Sequence, residues 1–264
     1  MTQQTETKAF YERDGEVFRP TGYTRGPWDS RFQHGGPPAA LLAGRLARHG
    51  EGLARWQVAR VLTELYRPVP LAPLRIEVRV EGGGRSAQRL WAGLHDADGA
   101  LLVASRTLRL ARAPLAEATT HQAPPWPDPE ATPPFAFDFF RHPISYGAAV
   151  ELRLAHGVWG TTPIGFWART VVPLVAGEEP LPLERLLILA DAQSGMGVPV
   201  DLMRYTFVNP DMCAYLDRDP EGDWFGFDIR SSAGPDGVGL AQSAVRDMRG
   251  ELARTAQSLL VRPR

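Results

Sequence analysis

The 264-residue chain has one cysteine, Cys213, and one lysine, Lys8. A single thiol excludes an intrachain disulfide and a cluster of thiolate metal ligands, and with no evident activating base Cys213 reads as a core residue. Arginine supplies nearly all the positive charge, a usage that suits a GC-rich bacterial genome. An excess of either charge is also missing: the formal net charge is −1, which removes the global electrostatic case for nucleic acid or an anionic membrane as partner. No apolar run approaches the length of a bilayer span, and the opening MTQQTETKAFYERDG holds no apolar segment. A cytoplasmic protein without membrane insertion is expected. Several catalytic signatures are absent as well. There is no Gly-x-Ser-x-Gly elbow and no phosphate-cradling or dinucleotide-binding glycine loop, and the six histidines show no metal-ligand spacing. Neither metal nor cofactor is expected, and chemistry falls to carboxylates and amides.

What is present begins with WDSRFQHGGPPAALLAGRLAR (28–48), where His34, Gly35, Gly36, Pro37 and Pro38 precede a helix-friendly run. Proline suits a first helical turn, where a missing N–H costs nothing, and bare glycine backbone leaves the helix end uncovered. Such an end presents N–H donors and the positive pole of the dipole to a partly negative oxygen; alternatively, the glycines only let a tight loop enter a buried helix. Farther on, LRIEVRV (74–80) alternates strictly, with Leu74, Ile76, Val78 and Val80 on one face. Strands near 86–94 and 101–110, separated by glycine turns, complete an antiparallel meander. Residues 113–147 are proline-rich and read as an extended crossover, pinned at its end by Phe135, Phe137, Phe139 and Phe140.

A shift of 151 positions lays 65–78 over 216–229 and 95–110 over 246–261, with Asp96 meeting Asp247 and Gly99 meeting Gly250. One constant offset through two segments points to duplication. The second helix is then LERLLILADAQSG (183–195), which places Asp191 inside an apolar helix opposite Ala40 of the first copy. A buried carboxylate is costly unless paired or used. Gln257 lies on the more apolar face of the last strand, opposite Arg106, and Asn209 stands before Pro210 at a strand entrance. Taken singly, each has a plain structural explanation: an exposed helix stripe, an amide satisfying backbone, a turn.

Together, FQHGGPPAALLA (32–43), LYRPVPLAPLRIEVRV (65–80), LADAQSG (189–195), NPDMCAYLDRDPEGDWFGFDI (209–229) and GVGLAQSAVRDMRGELARTAQSLLV (237–261) resemble the type II acyl-CoA thioesterase family. The resemblance covers most of the chain outside the proline-rich segment. It implies an α+β double hot-dog fold, two tandem copies of a curved antiparallel sheet wrapping a central helix. The copies would span 1–112 and 148–264, with 113–147 between them. It further implies hydrolysis of an acyl-CoA to free acid and CoA. The family's catalytic Asp falls on Asp191, its Gln on Gln257, and its Thr position on Asn209, where asparagine is a departure. Asp191 would activate or orient a water held by Asn209 and Gln257, and the Gly35–Gly36 N–H groups would polarise the thioester carbonyl. His34 would cap the loop, contact substrate or play no special part. A homodimer or larger homo-oligomer is expected. Two other readings stay open: a non-catalytic acyl-CoA or lipid binder, and a hot-dog hydratase or dehydratase, which the absence of a histidine after Asn209-Pro210 disfavours.

Overall fold

The computed structural model describes residues 7–117, 124–136, 140 and 142–264. Phe137 and Phe139 therefore lie outside the described residues. The chain opens with a hairpin, β1 (Tyr11–Asp14) and β2 (Val17–Pro20), and enters helix α1 (Gly36–Ala47). The strands β3 (Trp56–Leu65), β4 (Leu74–Gly83), β5 (Ala87–His95) and β6 (Leu101–Ala111) follow. After the proline-rich segment come β7 (Val150–His156), β8 (Ile164–Thr170), α2 (Pro182–Ala190) and the short turn of helix α3 (Gln193–Met196). The chain closes with β9 (Tyr205–Val208), β10 (Asp211–Leu216), β11 (Phe225–Ala233), β12 (Val238–Asp247) and β13 (Gly250–Pro263).

Among the described residues the strands form one 13-stranded sheet, ordered β1-β2-β4-β5-β6-β3-β10-β13-β12-β11-β8-β7, with β9 also on β13. The order reads alike from both ends. β3 and β10 meet in the middle, each flanked by the last strand of its own half, and each outer edge carries a hairpin. Within the curve of the sheet lie α1 and α2. From Gly36 to Gly44 every residue of α1 is buried, which is why the segment is apolar all round rather than striped. One continuous core joins Leu41, Leu42 and Leu46 of α1 to Leu186 and Leu187 of α2 and to Leu90, Phe166, Phe225 and Phe227 of the sheet. In β4 the alternation does its expected work near the helix, with Leu74 buried and Ile76 and Val78 packed against the core, while Val80 is 52% exposed past its end.

Three expectations need correction. The second helix ends at Ala190 rather than running to 195, and Asp191 is its C-cap. The carboxylate turns to His34, Asn209 and the Gly36 N–H at the start of α1, and the Ala192 N–H donates to Leu189 O at 3.1 Å. Secondly, α2 starts at Pro182, five residues before the position that the 151-residue offset would give from Gly36, so Asp191 does not stand opposite Ala40. Thirdly, Arg106 is not the counterpart of Gln257. Leu90 pairs with Thr107 and Ala241 with Gln257; the turn closing the second hairpin is one residue shorter, and the offset falls to 150 in the last strand. Thr107 is the counterpart and faces inward, whereas Arg106 points outward to Glu64 at 2.9 Å and Glu81 at 3.4 Å.

Residues 124–127 of the proline-rich segment lie across the outer face of β8, β11 and β12. Trp126 sits edge-on to Trp167 at 5.4 Å, Trp167 Nε1 donates to Pro127 O, and Arg246 donates to Pro124 O. At its end Phe135 and Phe140 pack against the core.

Candidate active site

α1 and α2 run antiparallel, so the N-terminus of α1 meets the C-terminus of α2. The contact is close: a Cβ on Gly36 would collide with the Ile188 carbonyl, and one on Gly35 would sit 3.0 Å from both carboxylate oxygens of Asp191. Pro37 and Pro38 have no N–H, which leaves Gly35 and Gly36 as the donors at this helix end. Asp191 is 4% exposed. Its Oδ2 lies 2.8 Å from His34 Nδ1, its Oδ1 accepts from Asn209 Nδ2 at 2.7 Å, and the Gly36 N–H also hydrogen-bonds the carboxyl. Burial alone would raise the Asp191 pKa; the His34 charge and the donors from His34, Asn209 and Gly36 outweigh it, so the carboxyl titrates below its ordinary value.

Asn209 reaches the carboxylate because of a bulge. From Val208 to Cys213 the chain takes five steps opposite the four from Leu260 to Ala256 of β13, and the extra residue falls at Asn209-Pro210, where proline has no ladder N–H to lose. Asp211 Oδ1 anchors the far side by accepting from Ser258 N at 2.8 Å.

Gln257 is fully buried behind Asp191. Its Nε2 donates to the Asp191 backbone carbonyl at 3.1 Å and lies 3.4 Å from Oδ1. It touches the carboxylate and does not line the cavity. Below it, Gln193 Oε1 accepts from Ser243 at 2.5 Å and Thr255 at 2.8 Å. These three side chains, together with Tyr146, escaped the sequence reading. The Asp-x-Gln spacing on one helix end was the available signal for Gln193; Tyr146 had none.

The His34 ring stacks on Tyr146 at 3.8 Å with the planes 10° apart, and the Tyr146 hydroxyl donates to Ile188 O at 2.9 Å. In front of this group opens a cavity of about 420 Å3, within the usual range for small-molecule sites. His34, Gly35, Asp191 and Asn209 supply its polar end, and Phe135, Phe140, Val150, Leu152, Met196 and Phe207 are among its apolar walls. A wider groove of about 1270 Å3 shares Trp28 and Phe135 with it. The structure thus brings together Asp191, Asn209, Gln257, His34, Gly35 and Gly36. Among the described residues no cluster of His, Cys, Asp and Glu is suited to a metal ion, and no helix is long and apolar enough to cross a membrane.

Comparison with known families matches residues 24–110 to the acyl-CoA thioesterase N-terminal domain and 116–261 to the acyl-CoA thioesterase C-terminal domain. The chain belongs to the acyl-CoA thioesterase family. It is a thioester hydrolase. No curated protein matches the sequence. Among solved structures, a hot-dog protein of unknown function from Alicyclobacillus acidocaldarius is similar, with 21% identity, TM-score 0.74 and coverage of 96% of this chain and 95% of that one. Acyl-CoA thioesterase II of Mycobacterium marinum aligns at 17% identity and TM-score 0.67, covering 96% of each chain. These likenesses show that the thioesterase has a hot-dog fold. In this thioesterase the polar end of the cavity is built where two helix termini meet, and its walls come from both halves of the sheet and from the end of the proline-rich segment.

Proposed function

We propose that the protein hydrolyses an acyl-CoA to the free acid and CoA, with the acyl group in the apolar cavity and Asp191 activating or orienting the attacking water. The observation that carries this is a buried carboxylate held ionised at the polar end of an apolar cavity by His34, Asn209 and the start of α1. Asn209 lines the cavity and fixes Oδ1, while Gln257 holds the carboxylate and its backbone from behind. Because the Gly36 N–H is engaged by Asp191, the Gly35 N–H is the donor left to polarise the thioester carbonyl, at the positive pole of α1. The same reading makes the chain two tandem hot-dog units, 1–112 and 148–264, joined by 113–147, acting in the cytoplasm of a bacterium as a homodimer or larger homo-oligomer. The strand order, alike from either end, supports the duplication.

The lack of a base after Asn209-Pro210 no longer weighs against dehydration, since His34 brings an imidazole to Asp191 from the other half. Family membership decides for hydrolysis. The test is thiol release from short, long and aromatic acyl-CoAs by wild type and Asp191→Asn. Turnover that is lost in the variant supports the assignment, and the best substrate measures the cavity. Acyl-CoA bound but not cleaved by wild type overturns it.

A further inference from the structure

We infer that His34, through Nε2, is the proton acceptor for the attacking water, and that Asp191 orients His34 rather than taking the proton itself. This rests on the hydrolytic reading and refines it. A carboxylate can only accept, so the 2.8 Å contact with Asp191 Oδ2 places the proton of a neutral imidazole on Nδ1 and leaves the lone pair on Nε2. Gly36 N lies 3.4 Å from the same Nδ1, a long contact that the carboxylate outweighs. The ring is held on every side that matters. It stacks on Tyr146, faces Phe140 at 6.2 Å, and its backbone N–H donates to Thr24 O at 2.7 Å. Tyr146 is in turn bonded to Ile188 O, on the helix turn that ends at Asp191, so ring and carboxylate are referenced to one helix terminus.

Asp191 is poorly placed to be the base. Donors from His34, Asn209, Gln257 and Gly36 already cover its two oxygens, and each stabilises the charge that a base must surrender. With the imidazole neutral, these hydrogen bonds remain to hold the charge on the carboxylate. His34 lines the cavity beside Gly35, and Nε2 is not committed to the contact that holds Nδ1. In the proposed step the water oxygen bonds to the thioester carbon as its proton passes to Nε2, and Asp191 stabilises the imidazolium. The C–S bond then breaks and the proton moves from Nε2 to sulfur, so that one water is consumed and one acid and one thiol appear. Among the described residues, the other titratable or charged ones lining the cavity are Asp29, Tyr66, Arg67 and Tyr146.

The test is the pH dependence of kcat/KM for the best acyl-CoA. With His34 as acceptor, the wild-type profile carries a limb that rises with pH as the imidazole loses its proton. In His34→Gln kcat falls by about 10²–10⁴ with KM within a few-fold, that limb disappears, and added imidazole restores part of the rate. A wild-type profile with no rising limb overturns the role of His34 without needing a variant to fold. So does a folded His34→Gln enzyme that keeps the wild-type limb and rate, or one whose loss is all in KM. A wild type that cleaves none of the acyl-CoAs overturns the hydrolytic reading, and this role with it.

Discussion

The two ends of the α1–α2 pair are built from the same parts and do different work. At one end the C-cap of α2, Asp191, meets the N-terminus of α1. At the other, the C-cap of α1, Arg48, grips Glu184 in the first turn of α2 through both carboxylate oxygens and donates to Glu179 O at 3.0 Å. Glu184 also accepts from Leu181 N at 2.7 Å. Each carboxylate faces the N-terminus of a helix, and Arg48 adds a cation at the C-terminus of α1, whereas Asp191 stands against the dipole of its own helix. The difference is the partner. A guanidinium is permanently charged and fills the space with a closed fork; an imidazole can gain or lose a proton and here lines a cavity. The last strands differ in parallel: β13 sends Gln257 to the carboxylate, while β6 carries the shorter Thr107 at the matching position.

The largest expected effect separates the two ends. Asp191→Asn should lower thioester hydrolysis by about 10²–10⁴, whereas Glu184→Gln should leave kcat of the folded enzyme within about two- to three-fold. Equal losses in a thiol-release assay would break the comparison. In stability the order reverses. Glu184→Gln should cost roughly 2–3 kcal/mol in denaturant unfolding, less than breaking a fully buried pair because Arg48 still reaches water. Combining it with Arg48→Met should recover most of that; no recovery would mean that Glu184 acts through its cap on Leu181 alone.

Gln257→Thr installs the residue of the other half at the matching position. With the carboxylate no longer held from behind, kcat should drop about tenfold at little cost in KM; an unchanged kcat would remove Gln257 from the machinery. Asn209→Ala deletes one charge-assisted hydrogen bond, worth about 1.5 kcal/mol or tenfold in rate, and Asn209→Thr, which restores the residue type of the family resemblance, should recover part of it. The smallest effect is in pH. A carboxyl whose folded pKa is lowered adds stability that is fully present above its ordinary pKa of 3.8 and is lost as pH falls through the folded value. The stability difference between wild type and Asp191→Asn should therefore shrink as pH drops below that point, which urea midpoints for both proteins would read.

Much of this was legible in the chain. The start of α1 was marked by Gly36-Pro37-Pro38, the meander β4–β6 by its alternation and glycine turns, and the inward face of β13 by the apolar spacing around Gln257. Asp191 stood out as a polar break inside an apolar helix, whose true end it caps, and Asn209 as a polar residue at a strand entrance. Register was harder. A constant offset carried Gln257 onto Arg106, and only the pairing of Leu90 with Thr107 exposed the one-residue deletion in the turn. A slip of one reverses every side chain of a strand, so a deletion nearly invisible in an alignment decides which residue faces the core.

What the sequence by itself determined is the set of elements, because periodicity, glycine and proline act locally: two buried helices, curved antiparallel strands, and a helix end left bare by Gly35 and Gly36. What only the tertiary structure decided is which groups share a proton. His34 and Asp191 belong to different halves and have no local preference for each other. They meet because the helices pack antiparallel with Gly36 against Ile188, and because Tyr146 sets the imidazole beside the carboxylate.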